Sequence, residues 1–101
     1  MLTSKQRAQL RTLAAAEDTI VIIGKGGITE NVIIQMNDAL KARELVKGRV
    51  LENSLLTARE AADALGETCR AEIVQVIGSK FVLFKRNEQK PKIELPKAKK
   101  K

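Results

Sequence analysis

Histidine does not occur in these 101 residues, so most metal sites and most general-base schemes lose their usual side chain. Cysteine occurs once, as Cys69, which leaves no intrachain disulfide to form. Without a histidine that thiol has no activating base, and packing at a strand edge is its expected role. Tryptophan and tyrosine are absent and phenylalanine occurs twice, too few rings for recognition mainly by base stacking. No apolar run is long enough to span a bilayer, and the first residues lack the apolar core of a secretory signal. Cytoplasmic residence is the expectation. The carboxylates lie scattered at helical surface spacings, and no pair stands out as an acid–base couple. Catalysis is not expected.

What is present is a single domain's worth of ordinary core material, with 44% apolar residues. The formal net charge is +7 and the pI near 9.9, which points to polyanionic partners. The charge is unevenly placed. Residues 87–101 hold six Lys and two Glu, or +4, leaving +3 for the first 86. A domain over 1–86 and a basic, disordered tail over 87–101 are expected. Any specific surface on the folded part must be a local patch.

The pattern along the chain predicts α-β-α-β-α-β-β. Thr3 and Gln6 have capping-box spacing and open a helix to about Ala15. A β-branched strand, Thr19–Ile23, leads into Gly24-Lys25-Gly26-Gly27, and a second helix runs from about Thr29 to Arg43. A second strand is expected over Glu44–Glu52, with Gly48 inside it as a candidate bulge. Thr57 and Glu60 open a short helix for which Gly66 is the expected stop. Ala71–Ile77 and Phe81–Lys85 then form a hairpin through Gly78-Ser79. The β-α-β crossovers favour parallel neighbours, and the hairpin adds an antiparallel pair. The expected class is α/β, two-layer, with a mixed four-stranded sheet packed with helices.

The glycine loop carries the chemistry. A strand, three glycines with a lysine among them, and a helix start make a device for gripping an anion. The dinucleotide fingerprint does not fit, because position 29 is Thr where a third spaced glycine would stand. A Walker A loop does not fit either, because Lys25 is misplaced. A G-x-x-G clamp on nucleic-acid backbone fits literally. The rival reading is a turn that uses glycine for geometry alone, although such a turn needs no cation at its tip.

These motifs together resemble a known family. Leu2-Thr3-Ser4-Lys5-Gln6-Arg7 and Ile23-Gly24-Lys25-Gly26-Gly27-Ile28-Thr29-Glu30-Asn31-Val32 are similar to the CRM domain, named for chloroplast RNA splicing and ribosome maturation. The likeness continues through Ala39-Leu40, Glu44-Leu45-Val46-Lys47, Val74-Gln75-Val76-Ile77-Gly78 and Phe81-Val82-Leu83-Phe84-Lys85. Bacterial YhbY-like proteins are its single-domain members. The resemblance implies an RNA-binding domain, similar in fold to the C-terminal domain of translation initiation factor three. It implies ribosomal RNA as partner and a role in assembly of the large ribosomal subunit, with a monomer expected and no cofactor. The RNA surface it implies consists of Gly24, Lys25, Gly26 and Gly27 with Lys5, Arg7 and Arg11 of the first helix. Family members often end the last strand with Tyr then Arg. Here Phe84 and Lys85 keep a cation and lose the hydroxyl and the planar fork.

The expected mechanism is phosphate binding. Amides of Gly26, Gly27 and the second helix's first turn cradle one phosphate, Lys25 closes over it, and Lys5, Arg7 and Arg11 meet its neighbours. A solvated helix flank is the rival reading for Arg7 and Arg11. Asn31 either orients the loop, donates to RNA or caps the helix. Lys41, Arg43, Lys47 and Arg49 form a second basic cluster, ranked lower because cations suit a helix C-terminus anyway. Two other functions stay open: a protein-interaction module with a basic surface, and a nucleotide-phosphate enzyme built on the same loop.

Overall fold

The structure, a computed structural model, describes residues 2–86. The tail expected over 87–101 lies outside the described residues. Three helices and four strands follow in the expected order: α1 (Ser4–Ala15), β1 (Thr19–Ile23), α2 (Glu30–Arg43), β2 (Leu45–Val50), α3 (Ala58–Cys69), β3 (Glu72–Ile77) and β4 (Lys80–Phe84). The strands form one mixed sheet in the order β1-β2-β4-β3. Strands β1 and β2 are parallel, while β4 is antiparallel to both its neighbours. Only one pair of crossover-linked strands ends up adjacent. The hairpin strand β4 inserts between β2 and β3 and so separates the second pair.

Alternation along the strands divides the core between the two faces of the sheet. Val21, Ile23, Val46, Val50, Phe81 and Leu83 face Met36 and Leu40 of α2 and Ala61, Ala62 and Leu65 of α3. On the other face Leu45, Val74, Val82 and Phe84 pack under Leu10 and Ala14 of α1. Phe81 and Phe84 therefore point to opposite faces, as their spacing requires, and both are core residues. Neither ring is available to stack on a base.

Both capping boxes form. Thr3 Oγ1 accepts from Gln6 N while Gln6 Oε1 accepts from Thr3 N, and Thr57 and Glu60 repeat the exchange at α3. Each satisfies two N–H groups that a bare helix start would leave unpaired. Thr57→Ala is expected to cost about 1 kcal/mol, measured as a shift in the urea midpoint without a change in slope.

Two glycines have different roles from those the sequence suggested. Gly66 does not stop α3, which continues a turn further to Cys69 and ends with Arg70 in the left-handed region (φ 57°). Ala71 N donates to Gly66 O and Arg70 N to Glu67 O, the paired bonds of a Schellman ending. Gly66 is small because a Cβ there would lie 3.3 Å from both Ala71 O and Ile73 Cγ1. Gly48 is not the bulge either. The register shift falls between Thr19 and Val21 on the neighbouring β1, and a second one falls between Ile73 and Gln75. Gly48 instead makes room for the ring of Phe81, its cross-strand partner.

Candidate nucleic-acid interface

The Gly24–Gly27 segment leaves the end of the edge strand β1 and folds into a single turn, closed by Gly27 N donating to Gly24 O at 3.0 Å. Lys25 and Gly26 form its tip and are exposed. Gly27 alone has positive φ, +72°, which glycine adopts without penalty. The other two glycines are required neither by backbone nor by packing. A Cβ on Gly24 would meet Leu51 Cδ1 at 3.6 Å and one on Gly26 would meet Thr29 Cγ2 at 3.4 Å, with neither φ in the left-handed region. A purely geometric turn would therefore tolerate side chains at both.

Helix α2 starts directly behind this turn. Thr29 is its N-cap, accepting from Val32 N at 3.2 Å. Among the described residues the N–H groups of Gly26, Glu30 and Asn31 donate to nothing, whereas that of Gly27 is used in closing the turn. The expected cradle must be corrected at that point, since Gly27 is the hinge of the loop and its amide is already engaged. Asn31 sits exposed on the first turn of α2 and is not the cap. Glu30 places a carboxylate on the same turn, favourable to the helix and in competition with any bound anion.

The remaining predicted residues are not gathered at the loop. Lys5 and Arg11 are exposed on α1, and Arg7 is half-buried, its Nε shielded from solvent with no hydrogen-bond partner among the described residues. Helix α1 lies on the face of the sheet opposite α2. Lys85 lies at the far end of the sheet, its N–H donating to Glu44 O just before β2 begins. That end is about 20 Å from the loop, at roughly 3.3 Å per strand residue.

The second basic cluster divides. Arg43 pairs with Glu17 at 3.4 Å, an exposed contact of small energetic weight. Lys47 and Arg49 instead project from the α1 face of the sheet, where α1 leaves a region uncovered. Register aligns Ile22, Arg49, Lys80 and Ile77 in one row across all four strands. All four are exposed, the two isoleucines at 48% and 62%. Lys80 had no signal in the sequence, because only register places it beside Arg49.

Cys69 is buried at the end of α3, within the core cluster and not at a strand edge as expected. Burial pushes its thiol above the ordinary 9.0, and the nearby Lys85 ammonium pulls it partly back. A folded pKa above the unfolded one contributes stability below about pH 9 that is lost as pH rises further. Cys69→Ala is expected to lessen the alkaline fall in thermal midpoint. The wild-type thiol should also resist alkylation at pH 8 until the protein is denatured.

Comparison with known proteins gives the family of the chain. Residues 2–85 match the family model described as the CRS1 / YhbY (CRM) domain. The chain belongs to that family. It is 43% identical over 96 residues to the "Probable RNA-binding protein YqeI" of Bacillus subtilis, covering 95% of this chain and all of that protein. An "RNA-binding protein" of Haemophilus influenzae is 34% identical, with 94% of this chain and 95% of that protein covered. Among solved structures, that of the hypothetical protein SAV1595 from Staphylococcus aureus superposes with a TM-score of 0.79 at 49% identity. The match covers 95% of this CRM chain and all of the other. No helix among the described residues is long and apolar enough to cross a membrane.

Proposed function

We propose that this CRM-family chain is an RNA-binding protein that holds backbone phosphates at the Gly24–Gly27 turn, and that its target is ribosomal RNA during large-subunit assembly. The observation that carries the reading is the pair of dispensable glycines. Gly24 and Gly26 lack side chains that the fold would accept, and the bare backbone leaves the Gly26 amide open to a close-approaching group. The names of the similar bacterial proteins support RNA as that group.

In the proposed contact a phosphate accepts from the N–H groups of Gly26, Glu30 and Asn31, with the positive end of the α2 dipole behind them. Lys25 supplies a point charge from the tip. Lys5, Arg7 and Arg11 belong to α1, which packs on the opposite face of the sheet over β2, β3 and β4, and they serve a separate stretch of the same RNA. Lys85, at the far end, would meet only an extended or folded RNA. Recognition is of phosphates and shape, since both rings are in the core. The work is binding without turnover, carried out by a cytoplasmic monomer.

The test is titration of structured ribosomal RNA fragments with wild type and with the Lys25→Ala/Gly26→Asp double variant at stepped salt concentrations. Loss of affinity in a variant that melts like wild type supports the clamp. Unchanged affinity removes it. If an association with ribosomal particles survives nuclease digestion, a protein partner on the basic surface is the better reading.

A further inference from the structure

One feature left unused by the phosphate contact is an open cavity of about 600 Å³ next to the glycine turn, lined by Arg49, Leu51, Glu52, Ser54, Leu56 and Ser79 among others. Its wall and the turn are one packed unit. Leu51 N donates to Ile23 O at 2.8 Å. Leu51 Cδ1 lies 3.6 Å from where a Gly24 Cβ would be, and Leu56 Cδ1 lies 3.8 Å from the corresponding point at Gly27. The opposite wall is the β3–β4 hairpin turn, tied in by Val50 N donating to Ser79 O at 2.8 Å. A group bound at the turn therefore has this cavity beside it.

We propose that the cavity receives one unpaired base of the RNA strand whose phosphate sits at the Gly24–Gly27 turn, and that guanine fits it best. The inference rests on the phosphate-clamp reading and goes beyond it by supplying base selection. The volume falls in the range of small-ligand pockets, and the lining is mixed, with Leu51 and Leu56 as apolar wall and Arg49, Glu52, Ser54 and Ser79 as polar groups. Leu51 and Leu56 offer the flat faces of a base an aliphatic surface. The placement of charge is the deciding argument. Glu52 is exposed on a surface that otherwise attracts RNA. A carboxylate repels phosphate, yet it accepts well from base N–H groups. Guanine presents N1–H and N2–H donors on one edge and the acceptors O6 and N7 on the other. Glu52 matches the first set and Arg49, on the same cavity, matches the second. Uracil offers no exocyclic amino group to a carboxylate.

The experiment is fluorescence anisotropy with single-stranded RNA oligomers of equal length, one containing only uracil and one with central guanines. It uses the full chain as wild type, Glu52→Ala and Lys25→Ala/Gly26→Asp. Wild type is expected to favour the guanine oligomer roughly tenfold, the usual discrimination of a well-matched base contact. Glu52→Ala should bring the ratio near unity with the salt slope unchanged, because no phosphate contact is lost. The loop variant should weaken both oligomers alike and keep the ratio. A wild-type ratio near one, or a preference that survives Glu52→Ala, overturns the base pocket. If the loop variant binds like wild type while Glu52→Ala still abolishes the preference, the pocket stands and the clamp reading falls. Failure to bind either oligomer removes both.

Discussion

Gly48→Val is expected to unfold this domain or leave it barely folded at room temperature, and Gly48→Ala to cost about 2 kcal/mol. A Cβ at this position would lie 2.4 Å from Phe81 Cζ, 2.7 Å from Cε1 and 3.0 Å from Cε2. The ring has nowhere to go. Phe81 is fully buried and packs within the cluster beneath α2 and α3. Strand propensity favours Ala and Val over Gly, but by at most about 1 kcal/mol, so overpacking wins. The margin matters because small domains have only about 5–15 kcal/mol of stability in total. Urea unfolding of the two variants measures the loss. Phe81→Leu should be destabilising alone yet partly rescue Gly48→Ala, giving a favourable coupling in a double-mutant cycle. A Gly48→Val protein melting within a few degrees of wild type would show that the strands can separate to admit the side chain, contrary to this account.

The same residue shows where sequence reasoning stops. Thr3 with Gln6 and Thr57 with Glu60 announce their helices because a capping box is complete within four residues. Gly78-Ser79 announces its turn for the same reason, and Gly78 does adopt positive φ, 59°. Gly48 and Gly66 carry no such local message. Each is small because of a partner, Phe81 or the Ala71–Ile73 segment, that reaches it only through the fold. A glycine met in isolation suggests a bulge or a stop, which is how both were expected to act. The insertion of β4 between β2 and β3 is equally silent in the sequence, since every strand alternates the same way whichever neighbour it takes.

The candidate interface divides along the same line. Gly24-Lys25-Gly26-Gly27 is legible as a contiguous motif between a strand and a helix. The row through Ile22, Arg49, Lys80 and Ile77 depends on three register relations. The cavity depends on two distant segments meeting, residues 49–58 and the Gly78-Ser79 turn. Gly27 is a finer case. Its place in the motif is visible, but its amide closes the turn and is thus spent on the protein. Composition could not distinguish a glycine needed for φ, such as Gly27, from one that neither φ nor packing requires, such as Gly26.

That distinction makes the loop double variant informative, and its effect on RNA binding should be the largest of any surface change. Gly26 has an ordinary backbone conformation and open space to 3.4 Å, and Lys25 is exposed, so neither substitution strains the fold. An aspartate just ahead of α2 even favours the helix, by about 0.3–1 kcal/mol at low salt. Thermal stability should therefore hold or rise slightly while binding weakens. With about five phosphates neutralised, the wild-type slope of log K against log salt is roughly −3.5 for a single strand, and loss of the Lys25 contact reduces it to about −2.8. Placing a carboxylate where a phosphate would accept costs at least one charged hydrogen bond, about 1.5–3 kcal/mol, or roughly tenfold to a hundredfold in affinity. Lys5→Ala on α1 should lower the slope by a similar single step, with much less loss of affinity, because a lysine removed is not a charge reversed. If instead both variants bind with the wild-type slope and only removal of residues 87–101 weakens binding, the turn is structural. The phosphate contacts then belong to the Lys-rich end of the chain.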